Sequence, residues 1–172
     1  MKTKLLSILF LAATMATASA APYIGASAGY LVDTQEGIFS FHAGTEFAKS
    51  GTASHQVELE FAFTSERESG AKLDLVPILA NYRLSSPLNP KTEFFVGGGL
   101  GLTRTKVSFF GFSDSGNAFT AQAFTGVAFN ATPNVAITLG ARYLWIGKVE
   151  LFGFKERVGD DVSVELGFRL RL

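Results

Sequence analysis

Ser40, His42 and Glu46 are spaced by two and four residues, so in an extended strand their side chains share one face. A hydroxyl, an imidazole and a carboxylate are the groups that nucleophilic catalysis uses as nucleophile, base and orienter. A period of two, however, aligns any residues at such positions, and no recognisable lipase motif surrounds these three. We therefore interpret His42 as a histidine satisfied by neighbours inside a sheet, and we predict that the chain is not an enzyme.

A second group of candidate residues is charged. Glutamates and arginines recur in similar number on the face opposite the apolar one: Glu46, Glu58, Glu60, Arg83, Glu93, Arg142, Glu165 and Arg169. An unpaired charge is very costly to bury, so these side chains must pair or stay hydrated. We predict that they form a structural salt-bridge network. An ion path lined by the same charges is the alternative.

Eight segments with hydrophobic residues at alternate positions carry these side chains, and clusters of turn residues separate them. The segments are Pro22–Val32, Gly37–Ala48, His55–Thr64, Lys72–Ser85, Thr92–Ser108, Ala118–Asn130, Asn134–Lys148 and Val158–Leu172. The last is the clearest, with an apolar residue at every even position from Val162 to Leu172. In the fourth segment the apolar face changes sides midway. A bulge at Pro77 would reset the parity, and we predict an irregularity near this residue.

The N-terminus and the composition restrict the class to which this protein can belong. Lys2, Lys4, an apolar run and a small-residue site at Ala18–Ala20 have the three parts of a secretory signal. We predict that Met1–Ala20 is removed and that Ala21–Leu172 forms one domain. Without Lys2 and Lys4, 13 of the 15 basic residues remain against 15 acidic ones, and this net charge of −2 is not that of a nucleic-acid binder. Cysteine is absent and no His, Asp or Glu spacing suggests a metal site, so we predict no cofactor.

Two features predict that the apolar face of this sheet contacts lipid. Aromatic residues lie near the ends of the segments, where membrane barrels carry aromatic girdles: Tyr23, Tyr30, Phe47, Tyr82, Phe94, Phe129, Tyr143 and Trp145. The opposite face is rich in glycine, as at Gly97, Gly99 and Gly101, which suits a cramped interior better than a wetted surface. Closure of the sheet also pairs backbone groups that hydrocarbon would leave unsatisfied. We therefore predict an all-β fold, an eight-stranded antiparallel up-and-down transmembrane β-barrel.

The last eight residues, Glu165-Leu166-Gly167-Phe168-Arg169-Leu170-Arg171-Leu172, resemble the assembly signal of outer-membrane barrels. Glu165, Gly167, Leu170 and Leu172 occupy its polar, glycine and apolar positions, although the family usually ends in Phe or Trp. With its eight alternating segments, the chain resembles the small barrels that include OmpX-like proteins, opacity-type proteins and OmpA transmembrane domains. The resemblance implies a monomer in the bacterial outer membrane, with the lipid bilayer, lipopolysaccharide and the barrel-assembly machinery as partners.

The outer connections are where such a barrel would meet a ligand. Strand direction predicts them at Asp33–Glu36, Ser65–Ala71, Phe109–Asn117 and Val149–Gly159. Two carry aromatic tips, and the candidate contacts for an extracellular surface ligand are Phe109, Phe110, Phe112, Phe152 and Phe154. These features predict a structural, adhesion or surface-interaction role. The alternatives are a narrow porin-like channel and, because some small outer-membrane barrels modify lipid A, a lipid A-modifying enzyme.

Overall fold

The computed structural model describes residues 22–68, 71–109, 112–151 and 154–172. The strands are β1 (Pro22–Leu31), β2 (Gly37–Ser50), β3 (Ala53–Glu68), β4 (Ala71–Asn89), β5 (Thr92–Phe109), β6 (Phe112–Asn130), β7 (Val135–Leu151) and β8 (Phe154–Arg171). Each strand pairs antiparallel with its neighbour in sequence, and β1 pairs with β8 to close the ring. The predicted eight-stranded up-and-down barrel is therefore confirmed. No helix in these ranges is long and apolar enough to cross a membrane. The predicted signal, Met1–Ala20, lies outside the described residues.

Large apolar side chains cover the outside of the barrel. Phe41, Leu100, Leu139 and Leu166 are each more than half exposed, and they are typical of this surface. On β8 the exposed positions are Val162 and every second residue as far as Phe168, which confirms the predicted outward face. We call this surface the apolar belt. A belt of this extent on a soluble monomer would be an aggregation site, whereas it suits acyl chains.

The interior is filled in two layers. Towards the outer end, at which β1 connects to β2, a cluster of buried apolar residues fills the barrel: Leu31, Ile38, Ala62, Ala118, Leu144, Ile146 and Val149. Towards the inner end, where Pro22 and Leu172 lie, the buried side chains are mostly polar or charged: Gln56, Glu58, Glu60, Asn81, Arg83, Gln122, Arg142 and Arg169. The inward face of the barrel is therefore apolar at the outer end and charged at the inner end.

The irregularity predicted near Pro77 is an interruption of strand pairing and not a bulge that resets the parity. The pairing of β3 with β4 is interrupted opposite Pro77, which has no N–H to donate, but it resumes at Thr64 and Leu75 in the same register. Odd-numbered residues of β4 face the interior on both sides of Pro77. The apparent change of face arises because the outer layer of the interior is apolar: Leu75 packs against the buried cluster, while Lys72 and Asp74 face outward beyond the belt.

Three of the predicted outer connections are wrong, because most of their residues are strand. β3 continues to Glu68, β5 to Phe109 and β7 to Leu151, and only two residues separate each of them from the next strand. On β5 the belt ends near Leu102, so the strand continues for about 24 Å at roughly 3.4 Å per residue. We call these parts of β3–β4, β5–β6 and β7–β8 the hairpin extensions. Outside the membrane the outward face of a strand is no longer apolar, so the hydrophobic alternation that identifies a spanning strand is lost.

Glycines on the inward face of β5 allow the closest approaches between strands. A Cβ on Gly101 would collide with the backbone carbonyl of Ile78, and one on Gly97 would collide with the Phe124 ring. Gly98, on the outward face between them, would bring its Cβ no closer than 3.1 Å to the carbonyl oxygen of Gln122. The predicted cramped interior is confirmed at these positions.

Gly101→Ala is therefore expected to destabilise the barrel by about 1–3 kcal/mol, because overpacking forces backbone shifts. Gly98→Ala, in the same strand, is the matched control and should change stability by no more than about 0.5 kcal/mol. Urea unfolding of both variants in lipid vesicles measures the difference. Equal midpoints for the two variants would contradict the inward assignment of Gly101.

Candidate functional site

Arg142 on β7 is the centre of the charged layer. Its guanidinium contacts Glu60 of β3 through Nη1. It also binds the carboxylate of Glu165 of β8 through two atoms, Nε at 2.8 Å and Nη2 at 3.0 Å. The Arg142 and Glu60 side chains are 8% and 4% exposed, so water does little to screen this pair. A two-atom contact between a guanidinium and a carboxylate is the strongest arrangement of such groups.

Neutral side chains satisfy the remaining lone pairs of these carboxylates. Glu60 Oε2 accepts hydrogen bonds from Asn81 Nδ2 at 2.7 Å and from Gln122 Nε2 at 2.8 Å. Glu165 accepts from the hydroxyls of Ser27 and Ser163, each at 2.7 Å. The donors to these two carboxylates come from β1, β4, β6 and β8, so strands around the barrel stabilise both charges.

A second set of pairs lies nearer the inner end. Glu58 accepts a hydrogen bond from Tyr23 Oη at 2.7 Å and pairs with Arg83 at 3.4 Å. The Arg83 guanidinium also stacks 3.8 Å from the centre of the Phe95 ring. Arg169 pairs with Glu93 at 2.9 Å, so arginines and carboxylates alternate across the interior. We call this whole set, with the Arg142 pairs, the lumen network.

Seven of the eight predicted charged residues meet in the lumen network, and Glu46 does not. Its carboxylate contacts Lys49 at 3.4 Å and Ser54 at 2.6 Å, at the inner mouth. Tyr23, predicted as a girdle residue facing lipid, is instead 4% exposed and belongs to the network, so that prediction is wrong. Tyr23 lies two residues before the inward Gly25 and so shares its face of β1, and this spacing could have assigned Tyr23 to the interior. Gln56 and Asn81 were not among the predicted site residues. Each lies two residues before a predicted one, Glu58 on β3 and Arg83 on β4, and so shares its inward face.

Ser40, His42 and Glu46 do not form a catalytic arrangement. Ser40 Oγ contacts Ser27 Oγ at 2.7 Å and Arg142 Nη2 at 3.5 Å, and it is 2% exposed. His42 lies edge-on to Tyr23, with ring centres 6.4 Å apart. It also lines an internal cavity of about 60 Å³ beside Arg83 and Arg142. Among the described side chains, no group of three or more His, Cys, Asp or Glu is placed to hold a metal ion.

At the outer end Asp161 fastens the connection between β1 and β2. Its carboxylate accepts hydrogen bonds from the backbone N–H groups of Asp33 and Thr34, both at 3.0 Å, and from Thr34 Oγ1 at 2.8 Å. Asp161 precedes Val162 and so lies just beyond the belt. Burial of the carboxyl group raises its pKa, but these hydrogen bonds outweigh burial and hold the pKa of Asp161 below its usual range.

Basic side chains stand directly above the belt on one side of the barrel. Arg104 and Lys106 are the next two outward positions of β5 after Leu102, and both are exposed. Lys72 of β4 lies beside them and pairs with Asp74 at 2.8 Å. We call Lys72, Arg104 and Lys106 the basic patch.

The other predicted site residues are placed only in part. Phe110 and Phe152 lie outside the described residues, as do the side chains of Phe109, Phe112 and Phe154, so their role in ligand contact stays a prediction. The predicted assembly-signal residues all belong to the closing strand or follow it, where β8 pairs with β1. Gly167 faces inward, and a Cβ there would lie 2.6 Å from the carbonyl oxygen of Ala26. Leu172 is 70% exposed at the inner end.

A closed eight-stranded sheet with an apolar outside and a charged, filled inside is a transmembrane β-barrel. The sequence matches the outer membrane protein beta-barrel domain over residues 4–169, and the chain belongs to this family. It is accordingly a protein of the bacterial outer membrane. Comparison with curated proteins finds no significant match.

Solved structures agree with this assignment. Neisserial surface protein A superimposes with a TM-score of 0.71 at 19% identity, over 90% of this chain and 100% of that one. Ail, the attachment invasion locus protein of Yersinia pestis, gives 0.57 at 17% identity, over 88% and 96%. The outer membrane enzyme PagL gives 0.54 at 10% identity, over 87% and 99%. At these identities the likeness shows the fold alone.

Proposed function

We propose that this protein is a non-conducting barrel that acts at the cell surface, in adhesion, surface contact or envelope integrity, through its hairpin extensions and outer rim. The observation that carries the proposal is the contrast between a sealed interior and strands that continue well past the belt. A channel needs an open lumen. The attachment protein Ail, which shares the fold, supports the proposal by analogy only.

Both layers of the interior argue against permeation. The charged layer leaves a cavity of about 60 Å³, and the outer apolar layer leaves one of about 70 Å³. Each has room for only a few water molecules. The cavity at the inner mouth is larger, about 350 Å³, but it leads only to the lumen network.

The wild-type protein is expected to give no steady conductance in planar bilayers, because ions would have to cross the buried Arg142–Glu60 pair and the apolar cluster above it. The measurement should run across both voltage polarities. Liposome swelling with small sugars provides an independent readout. Stable unitary conductance would replace the proposal by the porin-like alternative.

We propose that the basic patch binds phosphate groups of lipopolysaccharide. The patch lies immediately above the acyl-chain surface of β5, where the phosphates of the outer leaflet are expected. Charged residues just outside the hydrocarbon pay little desolvation and attract anionic headgroups by about 1 kcal/mol each. Such a contact would anchor the barrel laterally and leave the hairpin extensions free for other partners.

Reversing the patch with Arg104→Glu and Lys106→Glu is expected to weaken lipopolysaccharide binding at least about tenfold, since two attractions of about 1 kcal/mol become repulsions. Titration in zwitterionic micelles can be followed through Trp145, the only tryptophan of the chain. Lys49→Glu with Lys91→Glu makes the same charge change at the inner end and should leave affinity unchanged. Equal affinity for intact and dephosphorylated lipopolysaccharide would refute the site.

The enzyme alternative has less support. A lipid substrate reaches the barrel from its outer surface, whereas Ser40 and His42 lie inside it. Ser40 is hydrogen-bonded to Ser27 and Arg142, which leaves it without a base among these contacts. We therefore keep a non-enzymatic role as part of the proposal. Unchanged lipid A in cells that overproduce the protein would support it.

A further inference from the structure

The outer mouth of the barrel contains a half-open cavity of about 70 Å³. Its floor is the exposed surface of the outer apolar layer and consists of Leu31, Leu73, Leu75, Leu144, Ile146 and Val158. We call this cavity the outer cup. Its lining comes from β1, the β1–β2 connection, β3, β4, β7 and β8, so the barrel itself fixes its shape.

The rim of the outer cup is acidic. Glu36, Glu66, Asp160 and Asp161 all line it, together with the hydroxyl-bearing Thr34 and Thr64. No lysine or arginine occurs among these described lining residues. Asp161 accepts hydrogen bonds from the β1–β2 connection, and Asp160 accepts one from Tyr143. These two carboxylates therefore stabilise the outer end of the barrel itself.

We propose that the outer cup binds a primary ammonium group carried on a short alkyl chain, as in a free alkylamine. The apolar floor and the acidic rim together match this combination. A hydrated metal ion gains nothing from the leucine floor, and a neutral apolar group gains nothing from the carboxylates. An alkylammonium places methylenes on the floor and its charge between Glu36 and Glu66, much as amphipathic side chains do at protein surfaces.

The inference goes beyond surface contact through the hairpin extensions or the basic patch. The patch carries the opposite charge and faces outward from β4 and β5, whereas the cup opens along the barrel axis. Loss of lipopolysaccharide binding in the Arg104 and Lys106 variants would therefore leave the cup unaffected. The two proposals can fail separately.

The test is titration of the full barrel in zwitterionic micelles with n-butylamine, methylamine and n-butanol, followed by NMR of labelled leucine and isoleucine methyl groups. Each buried methylene contributes about 0.8 kcal/mol, roughly fourfold in affinity, so butylamine should bind at least about tenfold more tightly than methylamine. Butanol should bind about tenfold more weakly than butylamine because it lacks the charge. Equal binding of the two amines, or of butylamine and butanol, would overturn the proposal.

Variants complete the test. Glu36→Gln with Glu66→Gln should weaken butylamine binding about tenfold, whereas Glu150→Gln, an exposed carboxylate that does not line the cup, should not. Val158→Phe should fill the cavity and abolish the shifts. If the acidic variants bind butylamine as well as wild type, the rim has no role and the proposal fails.

A peptide probe tests the orientation of the ligand. The lysine of a polypeptide outside the barrel would enter the cup with its ammonium first and bring the charge to the apolar floor, so a capped Gly-Gly-Lys-Gly-Gly peptide should not shift these methyl groups. Shifts with butylamine alone identify a free amine as the ligand. Equal shifts with the peptide and with butylamine, or with neither probe, would overturn the proposal.

Discussion

Replacing Arg142 by alanine is expected to lower the free energy of unfolding by about 3–5 kcal/mol, because removal of one partner leaves uncompensated buried charge. Glu60 and Glu165 both depend on this guanidinium, and Glu60 is 3% exposed. Asn81 and Gln122 would still donate to Glu60, but neutral donors do not balance its charge. The charge would have to be hydrated through a lumen that has almost no space.

The measurement is urea unfolding in lipid vesicles, with heat-dependent gel mobility as a check on folding. Arg171→Ala is the matched control, since Arg171 is 46% exposed and 3.8 Å from Glu93, and exposed pairs contribute about 0–1 kcal/mol. Should Arg142→Ala fail to fold, Arg142→Lys keeps the charge but loses the two-atom grip on Glu165, and its destabilisation should be intermediate. Wild-type stability in both variants would show that the lumen network contributes nothing.

The sequence predicts the barrel well because the membrane imposes one simple rule on each spanning strand. Alternate residues must be apolar, and the strands obey this rule for as long as they face lipid. Val162 to Leu172 and Val135 to Trp145 could therefore be assigned with their sidedness. The inward glutamates and arginines followed from the same alternation. Seven of them meet as partners because an eight-stranded lumen is too narrow to keep buried charges apart.

The predictions that were wrong concern residues that lie beyond the lipid-facing part of a strand, where apolar alternation is not required. Beyond Phe63 no acyl chains face β3, so Ser65 to Glu68 is polar on both faces and resembles a loop in sequence. The outer half of the lumen is apolar, so the alternation rule assigns Leu73 and Leu75 to the lipid side although they face the barrel axis. Pairing partners cannot be deduced from alternation either. Alternation gives a face, whereas the contact of Arg142 with Glu60 depends on closure of the whole ring.

Leu139→Arg is expected to destabilise the protein by about 2–4 kcal/mol, the depth-dependent cost of a cationic side chain at the middle of the bilayer. Leu139 is 53% exposed on the outside of β7 and is paired with Leu166, the central residue of the belt on β8. An arginine there has no carboxylate partner in the belt and must reach a distant headgroup or thin the bilayer. The expected loss is a consequence of sidedness alone, since the substitution touches no interior contact.

Leu88→Arg is the control, because Leu88 is 63% exposed near the inner end of β4, where the same substitution should cost about 0–1 kcal/mol. Both variants should be unfolded with urea from vesicles of one lipid composition. The difference between them isolates depth from side-chain chemistry. A second measurement in detergent micelles should reduce the gap, since a micelle lets water approach the belt. Equal stability of the two variants in vesicles would mean that Leu139 does not face hydrocarbon.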